Sequence, residues 1–151
     1  MNKNQIYKSA VIGCGRIGSQ FDSDEKRKII SSHCGAYTNF SKTKLVSVSD
    51  LDEQKLDECK NRWGVDTAYA DYRQMLENEK IDILSICTQP ETHEEIIAES
   101  INYNIKAIFC EKPISHSLKS ANRIINLCKE KNIHLAINHF RRSDNFFIDL
   151  K

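Results

Sequence analysis

Apolar and polar residues along this chain fall into blocks whose period changes repeatedly, from short β-branched runs to helical spacing and back. The runs at 8–12, 44–49, 81–87, 106–110 and 133–137 read as strands, with a short one at 67–69. Between 50 and 67, Asp52 can cap a helix that Gly64 ends after Trp63, and a short helix covers 72–78. Thr92 and Glu95 have capping-box spacing ahead of a helix whose apolar positions include Ile97, Ile101 and Ile105. Leu118, Ala121, Ile125 and Cys128 then form one buried face of a further helix. Residues 144–151 read as the opening turns of another. Six strands joined by helical crossovers predict an α/β fold, a doubly wound parallel six-stranded sheet covered on both sides. Right-handed crossovers then predict the strand order 3-2-1-4-5-6.

The first strand runs directly into Gly13-Cys14-Gly15-Arg16-Ile17-Gly18, a Gly-x-Gly-x-x-Gly pattern. In a dinucleotide-binding fold the first glycine permits a tight turn and the second lets backbone approach a pyrophosphate. The third allows close helix–strand packing, so the phosphates meet a helix N-terminus. Three glycines in six positions also suit an ordinary turn; the strand before them is the context that points to a nucleotide. Gly18 is followed by Ser19 and Gln20 rather than Lys and Ser/Thr, which disfavours a Walker-type phosphate loop.

The second strand ends at Asp50, whose carboxylate can accept both ribose hydroxyls and repel a 2′-phosphate, favouring NAD over NADP. From Gly18 to Asp50 is 32 residues, against the usual interval of roughly 20. The excess falls at 21–33, read as a loop inserted between the glycine turn and the main body of the first helix. Asp50 also suits a plain strand-end turn, and Asp52 is a competing carboxylate better used as the helix cap. Lys55 is the nearest cation. The fourth strand ends in Cys87-Thr88-Gln89-Pro90, where Thr88 and Gln89 face the crevice at which strand order reverses. His93, in the first helical turn that follows, reads as a packing or turn-stabilising residue before a catalytic one. The fifth strand ends in Glu111-Lys112-Pro113. An ammonium there could orient a nicotinamide amide and hydrogen-bond a reacting oxygen, or it could be a surface lysine in a turn.

Composition narrows this reading rather than changing it. The 151 residues suit one domain of ordinary size, and 22 basic against 21 acidic side chains leave no global field for nucleic acid or a membrane surface. Charges at 22–28 mix both signs and read as a solvated loop. No run of 18 apolar residues would span a bilayer, and the polar N-terminus lacks the apolar core of a signal peptide. Six dispersed cysteines without a Cys-x-x-Cys pair read as reduced thiols in a cytoplasmic protein, with no metal site.

Taken in order, these motifs resemble the N-terminal domain of the glucose-fructose oxidoreductase/inositol dehydrogenase/rhizopine-catabolism (Gfo/Idh/MocA) family, over nearly the whole chain. The resemblance implies a Rossmann domain of an NAD(P)-dependent oxidoreductase acting on a sugar, cyclitol or nucleotide sugar, homo-oligomeric in its complete form. It implies that Lys112 is the active-site lysine and Glu111 a support for the cofactor pocket. It also implies cofactor contacts from Gly13, Gly15, Arg16, Ile17, Gly18, Asp50, Thr88, Gln89, Pro90, His93 and Arg141. Pro113 would place Lys112, through a cis Lys112–Pro113 bond. His139-Phe140-Arg141-Arg142 is similar to the family segment after the sixth strand, from which Phe140 and Ser143 depart. Family enzymes add a second α/β domain with an acid/base histidine. Residues 1–138 are therefore expected to be the dinucleotide-binding domain and 139–151 the start of the connection to a missing substrate domain. Such a fragment is expected to be inactive alone. A free-standing NAD(H)-binding or regulatory module, or a doubly wound protein for another nucleotide, is the alternative.

Overall fold

A computed structural model describes residues 5–139 together with 142 and 148. Its strands are β1 (Tyr7–Ile12), β2 (Thr43–Ser49), β3 (Thr67–Tyr69), β4 (Ile83–Ile86), β5 (Ala107–Cys110) and β6 (His134–Ile137). Its helices are α1 (His33–Asn39), α2 (Glu53–Trp63), α3 (Tyr72–Asn78), α4 (Pro90–Ser100) and α5 (Leu118–Glu130). The sheet order is β3-β2-β1-β4-β5-β6 and every pairing is parallel, as expected from the strand and helix alternation. Order reverses between β1 and β4, and the strand-end motifs meet there. Among the described residues no helix is long and apolar enough to cross a membrane.

Side-chain alternation along the strands builds two cores. In β1, Ala10 and Ile12 face a cluster with Leu84, Ile86, Ile97, Ile108 and Ile124, whereas Val11 faces one with Cys34, Leu45, Val48 and Leu56. Leu45 and Val48 share a face although three positions apart. The register against β1 slips between Ser9 and Ala10, so Val46 is an extra residue that resets the alternation. Asp52 caps α2 by accepting the Lys55 N–H at 3.2 Å, and Gly64 ends it in the left-handed region at φ +60°.

Two helix readings need correction. Gln89 is the N-cap of α4 and Pro90 its first residue, because proline's fixed φ suits the opening position, so Thr92 already lies inside the helix. The Thr92 hydroxyl donates back to the Gln89 carbonyl at 2.8 Å, and Glu95 pairs with Arg73 instead of closing a capping box. In α5 the buried pair is Ile124 and Cys128, with Ala121, Ile125 and Leu127 half-buried. Leu118 is 84% exposed: the helix docks through its middle and last turns, beyond its first residue.

The long interval before Asp50 is a helix interrupted and resumed. After the glycines the chain closes one turn, with Ser19 N–H on the Gly15 carbonyl at 2.9 Å, and makes a 3₁₀ turn at Gln20–Ser23. It then leaves, and returns at α1 with His33 N–H on the Ile17 carbonyl at 3.0 Å and Cys34 N–H on that of Gly18 at 2.9 Å. In an unbroken helix those carbonyls would take the N–H groups of positions 21 and 22. Position 33 thus stands where 21 would, and the excursion adds twelve residues. Asp22, expected in a solvated charge cluster, closes the base of this loop by accepting the Ser31 N–H at 2.6 Å and the Ser32 N–H at 3.1 Å.

Candidate functional site

The three glycines of the turn answer to different constraints. A Cβ on Gly13, which has φ +96°, would lie 2.7 Å from the Cys87 carbonyl carbon and oxygen; one on Gly18 would lie 1.9 Å from the Gly13 oxygen. Both are therefore required by the packing of β1 against β4 and of the turn upon itself. A Cβ on Gly15 would meet nothing within 4 Å. Space held open above a backbone turn is the cradle a pyrophosphate needs, so the residues present fit a dinucleotide. Arg16 is exposed, with its guanidinium 5.0 Å from the Phe21 ring centroid, and Ile17 is half-buried.

Asp50 is drawn into this turn. Its Oδ2 accepts the Cys14 N–H at 2.7 Å and its Oδ1 accepts the Asp52 N–H at 2.9 Å, fixing the carboxylate plane at the end of β2. A carboxylate has about four acceptor sites, so two remain for hydroxyls outside the protein. Lys55 Nζ lies 2.8 Å from Asp52 Oδ2, which takes that cation away from any 2′-phosphate beside Asp50.

At the end of β4, Thr88 Oγ1 lies 2.7 Å from the Thr92 hydroxyl oxygen, and exposed Gln89 makes no side-chain capping bond. His93 is fully buried, its Nδ1 2.9 Å from the Pro113 carbonyl and its Nε2 3.2 Å from that of Thr88. The histidine thus ties the β4 turn to the β5 turn, the turn-stabilising position the sequence suggests. The Lys112–Pro113 bond is cis, and Lys112 is exposed.

Glu111 is 8% exposed and sits in a buried polar cluster. Its Oε1 accepts from His33 Nε2 at 3.0 Å and from the Asn138 amide, and its Oε2 from the Lys112 N–H at 3.3 Å. Burial pushes this carboxyl up, but donation from His33 and Asn138 outweighs that and holds it below the ordinary glutamate value. His33 Nδ1 lies 2.8 Å from Ser85 Oγ, which in turn lies 2.7 Å from the Tyr37 hydroxyl. Burial pushes the Tyr37 phenol up to about 12, so it stays a donor. Tyr37, His33 and Asn138 also border a cavity of about 620 Å³, walled by Phe109 of β5 and by Ile29 and Ile30 of the inserted loop.

Beneath the glycine turn, Cys34 and Cys59 have their sulfurs 3.7 Å apart, and all six cysteines are free thiols. Donation to Cys59, with burial, pushes the Cys14 and Cys34 thiols up and keeps them protonated.

Gly13, Gly15, Gly18, Asp50, Thr88, Gln89, Glu111 and Lys112 thus lie just beyond the ends of β1, β2, β4 and β5, while Pro90 and His93 lie in the first turns of α4. Arg141 lies outside the described residues. The sequence reading missed His33, Tyr37, Ser85 and Asn138. Ser85 carried a signal, as a polar residue inside an apolar run, and removing the twelve-residue excess would have placed His33 on the helix that follows the glycines.

The family described as "Oxidoreductase family, NAD-binding Rossmann fold" matches residues 7–139. The myo-inositol 2-dehydrogenase of Thermotoga maritima is 33% identical over 141 residues, 93% of this chain and 38% of that protein. The D-apiose dehydrogenase of Paraburkholderia graminis is 24% identical over 131 residues, 87% of this chain and 32% of that protein. The crystal structure of a myo-inositol 2-dehydrogenase from Lactobacillus plantarum superposes with a TM-score of 0.79 at 27% identity, over 93% of this chain and 38% of that one. The chain therefore spans about two fifths or less of the length of these relatives.

Proposed function

Because this chain belongs to the oxidoreductase family with an NAD-binding Rossmann fold, we propose that it is the cofactor-holding part of an enzyme moving a hydride between NAD and a carbon bearing a hydroxyl or ketone on a sugar, cyclitol or nucleotide sugar. The observation that carries this reading is Gly15, whose missing side chain no protein atom requires. Backbone N–H groups of the turn would hold the pyrophosphate, with Arg16 and Ile17 flanking it. Asp50 would use its two remaining acceptor sites on the adenosine ribose. Thr88, Gln89 and Pro90 would border the far half of the cofactor, above His93. NAD supplies the hydride acceptor. Lys112 would present its ammonium to the reacting oxygen, stabilising negative charge as it develops there. Arg141 would act from the nicotinamide side.

In this reading residues 1–138 form the dinucleotide-binding domain and 139–151 lead toward a substrate domain like that of the longer relatives. That domain would supply the acid/base group and the closed pocket. The 151-residue chain alone then turns over little, because acid–base help is worth roughly 10²–10⁴-fold and positioning more. The complete enzyme would be a cytoplasmic homo-oligomer.

Titration of the chain with NADH, followed by nicotinamide fluorescence, tests the reading. Saturable NADH binding with weaker NADPH binding is the expected outcome, and absence of any NADH binding would refute it. In a protein extended by the second domain, Lys112→Ala is expected to abolish most turnover while leaving NADH affinity within about threefold. Lys112→Arg should not restore it, since a planar fork does not replace a compact ammonium.

A further inference from the structure

With His33 neutral and Glu111 ionised, the buried chain from Tyr37 to Glu111 has one self-consistent hydrogen-bond assignment. Tyr37 O–H donates to Ser85 Oγ and Ser85 O–H donates to His33 Nδ1, leaving the imidazole proton on Nε2, aimed at Glu111 Oε1. Glu111 Oε2 is then free to receive the Lys112 backbone N–H. Every O–H and N–H in the chain thus meets an acceptor. The His33 ring is held from the side as well, with its centroid 4.9 Å from that of Phe109 at a 43° tilt.

Four separate parts of the fold supply these groups: α1, β4, and the ends of β5 and β6. The twelve-residue excursion could have displaced α1, yet the His33 N–H returns to the Ile17 carbonyl and keeps the imidazole over β4. A buried carboxylate with three donors gains little net stability over an apolar replacement, so such a cluster points to orientation more than to cohesion.

From this geometry we propose that His33 is a positioning residue for the β5 end of the crevice. Locked as the Nε2–H tautomer by Ser85 and Tyr37, it orients Glu111, and through Glu111 the Lys112 backbone against which the nicotinamide half of the cofactor seats. The proposal rests on the NAD reading above. His33, Tyr37 and Asn138 also border the cavity walled by the inserted loop, so the cluster forms part of that wall as well.

The test compares NADH with ADP-ribose, which shares the adenosine and pyrophosphate but lacks the nicotinamide. For His33→Leu, NADH affinity is expected to fall about tenfold, a change well outside titration error, while ADP-ribose affinity stays within about twofold. His33→Gln keeps an N–H toward Glu111 and is expected to recover most of the loss. Nitrogen-detected NMR of the histidine side chains should show one ring with a bare Nδ1 and a proton on Nε2, whose signals move in Glu111→Gln and Tyr37→Phe. Equal weakening of NADH and ADP-ribose in His33→Leu and His33→Gln would reduce His33 to general packing and overturn the proposal, as would an Nδ1–H tautomer. Should His33→Leu fail to fold, the Tyr37→Phe and Glu111→Gln ligand ratios decide, and ratios equal to wild type for both overturn it. A wild-type chain that binds neither ligand overturns the NAD reading itself, and this proposal with it.

Discussion

Gly15→Ala and Gly18→Ala should move stability in opposite directions although they lie three residues apart in one motif. At Gly15 the added methyl meets no protein atom within 4 Å, and the residue is not among those at positive φ. The substitution then acts mainly on the unfolded chain, removing conformational freedom worth about 0.4–1 kcal/mol. For a domain of this size a gain of 1 kcal/mol raises Tm by roughly 2–4 °C. At Gly18 the same methyl would lie 1.9 Å from the Gly13 carbonyl oxygen, which belongs to a turn anchored by the Gly13 N–H on Ser49. Neither backbone segment can yield cheaply, so the loss should exceed the roughly 1–3 kcal/mol of ordinary overpacking. NADH binding reverses the picture at Gly15. The methyl occupies the cradle, and a clash of about 1–3 kcal/mol weakens affinity by roughly fivefold to more than a hundredfold. Thermal melts monitored by circular dichroism, together with fluorescence titration, measure both quantities on the same samples. A destabilised Gly15→Ala, or one that binds NADH like wild type, would refute the reasoning, since it would make Gly15 an ordinary packing glycine.

Asp50→Ala should cost about 1–3 kcal/mol in denaturant melts by stranding the buried Cys14 N–H, and should weaken NADH more than NADPH; equal losses would remove Asp50 as the selector. Ile97→Ala, at a fully buried site, should cost about 2–5 kcal/mol, whereas Leu118→Ala should stay within about 0.5 kcal/mol, and a large Leu118 effect would restore the face expected from sequence. Glu111 titrates below its unfolded value of about 4.3, so its contribution is complete above that pH and is lost as pH falls through the folded value. Acid unfolding of Glu111→Gln should therefore lack that component of the acid limb, and superimposable profiles would count against the buried anion.

The sheet was legible because each strand is a short apolar run bounded by a cap or a turn, and because parallel strands with helical crossovers admit few orders. Asp52, Gly64 and the glycine turn were legible for the same reason, each being a local device with a local signature. The α4 start was misplaced because two signals compete within three residues, and proline's fixed φ at position 90 outweighs the capping spacing of Thr92 and Glu95. The α5 face was off because periodicity fixes a stripe but not where along the helix the sheet begins. What stayed hidden in the site was non-local. His33 and Glu111 are 78 residues apart, and no spacing rule connects a residue resuming a broken helix to one ending a strand. Asp50 shows a milder form of the same limit: its position was readable, but its grip on the Cys14 N–H was not.

The manner in which α1 rejoins the glycine turn makes the cofactor turn and the cavity wall separately adjustable. Because position 33 occupies the helical place of position 21 and Asp22 closes the loop on Ser31 and Ser32, residues 23–30 can lengthen, shorten or change sequence without shifting the register of His33, Cys34 or Tyr37. Ile29 and Ile30, which wall the cavity, lie entirely within that stretch, while every residue of the glycine turn lies outside it. Mutation can therefore explore what the cavity accepts at little risk to the nucleotide cradle. For a designer, the seam between Asp22 and Ser31 is a ready-made exchange point at which a different wall can be fitted onto an unchanged base.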